Sequence, residues 1–126
     1  MAKKYVIKGD PVPLARPRFN GKHVFDSQRQ KKMWIGVLVK NQHEGNPLYK
    51  GPLHLHITFF MRIPEYLNKK DLSWHLKKPD LSNMIKFYED ICSGILYADD
   101  KQIVQISAEK KYDQNERTEF TIEELE

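Results

Sequence analysis

An alternation of apolar and polar side chains over residues 52–62, PLHLHITFFMR, constrains the fold of this chain most. Successive side chains of a β-strand point to opposite faces, so a period of two separates the residues into two sets. The apolar set is Leu53, Leu55, Ile57, Phe59 and Met61, and the polar set is His54, His56, Thr58 and Arg62. The segment therefore predicts a strand with one buried face, against which the rest of the chain must pack.

The other periodic segments predict the element order β-α-β-α-β-β. We expect strands at residues 4–8, 52–62, 102–112 and 117–124, with helices at about 27–42 and 80–93 and a loop over residues 10–25. Asp26 or Ser27 suits the N-cap of the first helix, and Asp80 that of the second. The sequence thus predicts an α/β (α+β) fold, a single domain over residues 1–126 with a mixed sheet of about four strands and two helices.

Both helices carry apolar stripes that are expected to face the core. The stripe of the first helix consists of Met33, Trp34, Val37 and Leu38, and that of the second of Leu81, Met84, Ile85, Tyr88, Ile91 and Cys92. Cys92 is the single cysteine, so it cannot form an intramolecular disulfide and is expected to be a small buried residue.

Composition favours an ordinary globular protein of 126 residues, with 40% hydrophobic and 30% charged residues. No apolar run has the length of a membrane span or of a secretory signal, so we expect a cytoplasmic protein without a membrane partner. The net charge of +4 favours a polyanionic partner modestly.

Acidic side chains concentrate around one lysine between residues 78 and 102, where Asp80, Asp90, Asp99 and Asp100 surround Lys86. One interpretation is a capped surface helix followed by an acidic turn, with Lys86 pairing with Asp90 four residues on. The other is a metal site, because converging carboxylates repel unless a cation joins them and their oxygens suit Mg²⁺ or Mn²⁺. Spacing alone leaves both open.

The same stretch resembles the core motif of the RusA family of Holliday junction resolvases, roughly KPDxDNxxK, then an Asp, then DDxQ. The matching residues are Lys78-Pro79-Asp80-Leu81-Ser82-Asn83, Lys86, Asp90 and Asp99-Asp100-Lys101-Gln102. The opening GDPVPLARPRF, residues 9–19, is similar to the Pro- and Arg-rich loop after the first strand in the phage-type branch.

The resemblance implies a homodimeric endonuclease, encoded by a bacterium or a phage, that uses Mg²⁺ or Mn²⁺ to nick two strands of a four-way DNA junction symmetrically. It implies catalytic roles for Asp80, Lys86 and Asp100, and metal binding by Asp80, Asp99 and Asp100. Supporting roles then fall to Ser82, Asn83 and Asp90.

Ser82 stands where the family motif commonly has a second aspartate. A serine hydroxyl binds Mg²⁺ far less strongly than a carboxylate does. Three outcomes follow: Asp90 or Asp99 compensates, a single metal suffices, or cleavage is weakened. The alternatives to junction resolution are a nuclease for other branched or phage replication DNA and a junction-binding protein with weakened cleavage.

Cations flanking the acidic stretch are expected to offset its repulsion of DNA. The candidate phosphate contacts are Arg16, Arg18, Lys69, Lys70, Lys77 and Lys78. Trp74 either packs or stacks on a base, and His54 with His56 is expected on a solvent or interface face. The strand at 53–61 and the first helix are the candidate contributors to a dimer surface.

Overall fold

Two helices cover one face of a four-stranded mixed sheet in the computed structural model of the chain, and a short two-stranded ribbon forms a second sheet. The structure describes residues 3–15, 18–21, 23–67 and 74–126, with the backbone alone for 18–20 and 23–25. The strands are β1 (Lys3–Lys8), β2 (Arg18–Asn20), β3 (His23–Phe25), β4 (Leu53–Arg62), β5 (Ile103–Asp113) and β6 (Arg117–Glu124). The helices are α1 (Arg29–His43) and α2 (Leu81–Cys92). The predicted fold class and the order of the main elements are confirmed.

The strand order of the sheet is β1-β6-β4-β5, so β1 and β5 form its edges. The strand β4 runs parallel to β5 and antiparallel to β6, and β1 is antiparallel to β6. A parallel pair needs a crossover connection, which α2 supplies between β4 and β5. The motif residues therefore extend from the start of α2, through the helix and the turn after it, to the start of β5.

The alternating strand, β4, is an inner strand of the sheet, and its apolar face is buried. Leu53, Ile57 and Phe59 are fully buried, and the Phe59 ring lies 5.6 Å from that of Tyr88 on α2. The Tyr88 hydroxyl accepts a hydrogen bond of 3.1 Å from the backbone N–H of Val12. The core therefore ties the proline-rich loop after β1 to α2.

The helix starts differ in part from the predicted caps. Gln28 is the N-cap of α1 rather than Asp26 or Ser27, because the Asp26 Oδ1 accepts the Gln28 N–H at 2.8 Å and forms a turn ahead of the helix. Asp80 is the N-cap of α2 as predicted, but its carboxylate makes no capping hydrogen bond. The segment predicted as a loop over residues 10–25 contains the ribbon of β2 and β3.

The predicted core stripe of α1 is wrong for three of its four members. Met33, Trp34 and Val37 are 63%, 64% and 49% exposed, and only Leu38 packs against the core. The buried side of α1 consists of Ile35, Gly36, Val39 and His43. Apolar residues lie on both sides of this helix, so the apolar pattern did not identify the core side. Within the described residues, neither helix combines the length and apolar character needed to cross a membrane.

Candidate active site

An open cleft of about 560 Å³ lies where the loop after β1, the first turns of α1, the polar face of α2 and the turn before β5 meet. Its walls carry two lysines, four acidic residues and two apolar residues. These are Lys32, Lys86, Asp26, Glu89, Asp90, Asp100, Leu14 and Ala15, and we call this the acidic cleft. Three of the predicted site residues, Lys86, Asp90 and Asp100, thus face the same space.

The loop wall of the acidic cleft is held by backbone hydrogen bonds. The Leu14 N–H donates to the Asn83 carbonyl of α2 at 3.0 Å, and the Ala15 N–H donates to the Gln28 side chain at 2.9 Å. The Gln28 amide in turn donates to the Pro13 carbonyl at 2.9 Å. Asn83, a predicted supporting residue, therefore contributes its backbone to the wall.

Lys32 joins two of the acidic side chains in the cleft. Its Nζ lies 2.6 Å from the Asp26 Oδ2 and 3.0 Å from the Asp90 Oδ2. Burial disfavours the ammonium, yet the hydrogen bonds to Asp26 and Asp90 outweigh it and raise the pKa of Lys32. The Asp90 charge is therefore already compensated by a lysine from α1.

The Lys86 ammonium lies on the polar face of α2 and has no ion-pair partner among the described residues. Among the described residues it has no carboxylate oxygen within 4.0 Å, so the pairing with Asp90 four residues on is not formed. An ammonium that lines a cleft without an ion-pair partner is placed to attract an anionic group such as a phosphate. This geometry is what a phosphate-binding role requires of Lys86.

Asp100 lies close enough to Glu89 for its charge to affect the pKa of Glu89. Burial raises the pKa of Glu89, the charge of Asp100 raises it further, and Lys86 opposes both. Repulsion of this kind is relieved when a cation joins the two carboxylates. Sequence reasoning missed Glu89, although its spacing of three residues from Lys86 puts the two side chains on the same helix face.

Asp99 and Gln102 shape the turn that presents Asp100. The Asp99 Oδ1 accepts the Lys101 N–H at 2.9 Å, which lowers the pKa of Asp99, and its interaction with Asp100 lowers it too. The Gln102 Oε1 accepts the N–H groups of Ala98 and Asp99 at 3.0 and 3.1 Å. The Gln102 amide donates to carbonyls of the loop before β4, so the DDxQ turn is fixed from both sides.

Asp80, the N-cap of α2, lies nine positions before Glu89, which corresponds to a helical rise of about 13 Å. Asp80 and Ser82 are exposed and are not among the described residues that line the acidic cleft. In the described part of the chain, no three His, Cys, Asp or Glu side chains are arranged to hold a metal ion as they stand. Carboxylates of Glu89 and Asp100 nevertheless provide the hard oxygen donors that Mg²⁺ prefers.

The segment before α2 is held by Lys110 of β5. Its Nζ donates to the carbonyls of Lys77 at 2.6 Å and Pro79 at 2.8 Å, and the peptide between Lys78 and Pro79 is cis. Lys77 also donates to the Tyr66 hydroxyl at 2.6 Å, which raises the pKa of Lys77. The anchored segment presents an exposed basic and aromatic surface.

The candidate DNA contacts are only partly within the described residues. Arg16, Lys69 and Lys70 lie outside them, as does the side chain of Arg18. Lys77 and Lys78 are exposed, and Trp74 beside them is 58% exposed, so it does not belong to the core. His54 and His56 lie on the sheet face away from the helices, where the His54 Nε2 is 3.0 Å from the Ser107 hydroxyl.

Comparison with known proteins decides the family. The sequence model described as Endodeoxyribonuclease RusA matches residues 8–123, nearly the whole chain. The chain belongs to the RusA family. The chain is also 29% identical to the uncharacterized protein YqaN of Bacillus subtilis (strain 168) over 137 aligned positions, which cover 97% of the chain and 96% of YqaN.

A second relative is named for its activity. The crossover junction endodeoxyribonuclease rusA of Lactococcus phage r1t is 37% identical over 75 residues, which cover 59% of this chain and 56% of the phage protein. As a RusA family member, the protein is an endodeoxyribonuclease, and RusA nucleases depend on divalent metal ions in general.

Proposed function

We propose that this member of the RusA family resolves four-way DNA junctions by paired, symmetric nicks, acting as a homodimer with Mg²⁺ or Mn²⁺ in the bacterial cytoplasm. The observation that carries the proposal is the acidic cleft, in which the Lys86 ammonium, unpaired among the described residues, shares one open space with the carboxylates of Glu89 and Asp100. The name of the phage relative, a crossover junction nuclease, supports a branched substrate.

In this proposal Asp100 and Glu89 hold the divalent ion. When bound, the ion polarises the phosphate and lowers the pKa of a water molecule. The mutual repulsion of the two carboxylates favours binding, because a cation between them removes the cost of keeping both ionised. Asp90 is less suited to this role, since Lys32 already compensates its charge.

Lys86 orients the scissile phosphate and stabilises the negative charge that develops on it. Attack by water on phosphorus from the side opposite the bridging 3′ oxygen leaves a 5′-phosphate and a 3′-hydroxyl once that oxygen has taken up a proton. The Lys86 ammonium needs no rearrangement for this step, because no described carboxylate competes for it.

Asp80 is proposed as a further metal-binding and catalytic residue from its place in the family motif alone. Its position at the start of α2, away from the acidic cleft, offers no geometric support of its own. Asp99 is proposed mainly as the residue that caps the turn before β5 and so orients Asp100. An Asp80→Asn variant, assayed beside Asp100→Asn, tests the motif-based role.

DNA is proposed to approach over the segment before α2. Lys77 and Lys78 offer phosphate contacts, and Trp74 offers an exposed ring on which a base at the open centre of a junction can stack. Arg16, Arg18, Lys69 and Lys70 are proposed as further phosphate contacts on the basis of sequence.

The test compares three labelled substrates of matched sequence: a four-way junction, a replication fork and a linear duplex, each with Mg²⁺ and with a chelator. We expect paired nicks at symmetric positions of the junction with Mg²⁺ and none with the chelator, and we expect the linear duplex to stay uncut. Equal cutting of the fork would favour a nuclease for other branched DNA. Because Ser82 replaces an aspartate of the family motif, binding without cleavage is a further outcome to test. A gel shift of the junction without nicking would indicate a junction-binding protein with weakened cleavage.

A further inference from the structure

We propose that the Lys32 ammonium takes the place of a second divalent cation in the acidic cleft, so that each chain binds a single Mg²⁺ or Mn²⁺ ion. The inference rests on the proposed function and deepens it, because it states how many metal ions one site holds. It starts from the carboxylates of Asp26 and Asp90, which come from different parts of the chain and meet at one lysine.

Lys32 lies between these two carboxylates as a bridging cation would. Its Nζ is 2.6 Å from the Asp26 Oδ2 and 3.0 Å from the Asp90 Oδ2. The Lys32 side chain is 18% exposed, compared with 41% for that of Asp26 and 60% for that of Asp90. The lysine is therefore more deeply buried than the carboxylates that it joins.

The Asp26 carboxylate is fixed by a second hydrogen bond. Its Oδ1 accepts the Gln28 N–H at 2.8 Å, while its Oδ2 faces Lys32. The Gln28 side chain in turn accepts the Ala15 N–H at 2.9 Å and so belongs to the loop wall of the acidic cleft. Asp26 thus cannot turn toward a metal ion without breaking bonds that shape the wall, and Lys32 is held with it.

A divalent ion on the oxygen of Asp90 that faces Lys32 would meet an ammonium. Mg²⁺ lies about 2.1 Å from its ligand oxygens, and the Lys32 Nζ is 3.0 Å from this oxygen, so two positive charges would repel each other at short range. Moving Lys32 aside would leave a largely buried ammonium without its partners, which is costly. The ion is therefore directed to Glu89 and Asp100.

The formal charges that line the acidic cleft also match one divalent ion. Four carboxylates and two ammonium groups among the described lining residues leave a net charge of −2. One Mg²⁺ compensates this charge in full. Without the Lys32 ammonium the net charge would be −3, which a single divalent ion does not compensate. The charge balance and the position of Lys32 thus independently support one ion per chain.

The competing interpretation is an ordinary ion pair that stabilises the contact between α1 and α2 and has no bearing on metal binding. In that case, removing the Lys32 charge lowers stability and leaves the number of bound ions unchanged. Under our proposal, the same change frees the carboxylates of Asp26 and Asp90 to bind a second ion.

Titration of the DNA-free protein with Mn²⁺, with free Mn²⁺ measured by electron paramagnetic resonance, distinguishes the two interpretations. The wild-type protein should bind about one ion per chain, and the neutral variants Lys32→Met and Lys32→Gln should each bind about two. Lys32→Arg keeps the cation and should bind about one. Circular dichroism checks that each variant is folded, and the two neutral variants guard against a single replacement that fails to fold.

Lys86→Met is the matched control for charge. It removes an equal charge from the same cleft but frees no carboxylate among the described residues, so it should bind about one ion, more tightly than wild type. The double variant Lys32→Met/Asp90→Asn locates the second ion, since its stoichiometry should return to about one.

A wild type that binds two ions or none, a folded neutral Lys32 variant that binds one, or a Lys86→Met variant that binds two would overturn the inference. Nicking of junctions by a wild type with two ions per chain would reject the inference and keep the proposed function. The expected stoichiometries in a protein that fails to nick junctions would uphold the role of Lys32 and reject the proposed function.

Discussion

Lys32 on α1 and Asp90 on α2 are joined by an ion pair of 3.0 Å in the wall of the acidic cleft. The lysine also bonds Asp26 at 2.6 Å, so a single ammonium neutralises carboxylates from two elements. The pair thereby links the position of α1 to the polar face of α2, on which Lys86 and Glu89 lie.

Replacing Lys32 by Met should lower the free energy of unfolding by about 1 kcal/mol, since it leaves Asp26 and Asp90 uncompensated beside each other. Urea denaturation at neutral pH measures the change. Lys31→Met is the matched control, because Lys31 is the exposed neighbour on the same helix, and its stability should stay within about 0.5 kcal/mol of wild type. Equal effects of the two substitutions would show that the Lys32 bridge contributes nothing to stability.

Glu89 should make the stability depend on pH in a defined direction. Its pKa is raised in the folded protein by burial and by Asp100, so ionising Glu89 costs stability as the pH rises from the unfolded value of about 4.3 through the folded value. Glu89→Gln removes this cost and should raise the melting temperature relative to wild type at pH 7, but not at about pH 3.5.

The control for Glu89→Gln is Glu65→Gln, which changes an exposed glutamate outside the acidic cleft. Thermal melts of all three proteins at both pH values give the comparison. A Glu89→Gln protein that is less stable than wild type at pH 7 would contradict the proposed repulsion from Asp100.

Substitutions of Asp99 and Gln102 should affect nicking and stability differently from a substitution of Asp100. Asp99→Asn preserves an N-cap acceptor, so junction nicking should stay within a few-fold of wild type. Gln102→Leu removes the hydrogen bonds to Ala98 and Asp99 and to the loop before β4, and should cost about 2 kcal/mol of stability and also slow nicking. Loss of nicking in a stable, folded Asp99→Asn protein would show instead that Asp99 binds the metal.

Lys110 should matter for DNA binding although it lies on a strand. Lys110→Met removes the two hydrogen bonds to the carbonyls of Lys77 and Pro79, which should lower stability by about 1–3 kcal/mol and weaken junction binding by displacing the segment before α2. Lys111→Met, one residue along β5, is the control. Gel-shift titrations at constant salt measure affinity, and equal affinities for the two variants would contradict the anchoring role.

Most of the sheet was predictable from sequence, because the alternating residue patterns that predict its strands are local in the chain. The alternation from Leu53 to Met61 depends on one buried face, and the structure buries those five residues. The side of α1 that faces the core was not predictable, because burial there depends on partners distant in sequence. His43 is buried through its hydrogen bond to Tyr5, and Gly36 through its contact with Ile95.

Residues of the acidic cleft were predictable from sequence only where they occupy positions of the family motif. Lys86 and Asp100 stand at motif positions, whereas Glu89, Lys32 and Asp26 join the cleft only because the crossover through α2 and the start of α1 converge. The role of Asp80 remains a prediction from the motif, since its place at the start of α2 follows from capping preference as well as from function.

Single-turnover nicking of a labelled four-way junction by Asp100→Asn in Mg²⁺ tests the central claim most directly, with junction affinity measured in parallel. If Asp100 holds the ion in the acidic cleft, the nicking rate should fall at least about 100-fold while the dissociation constant for the junction changes by less than about 3-fold. Nicking by Asp100→Asn at a rate within a few-fold of wild type would contradict the account.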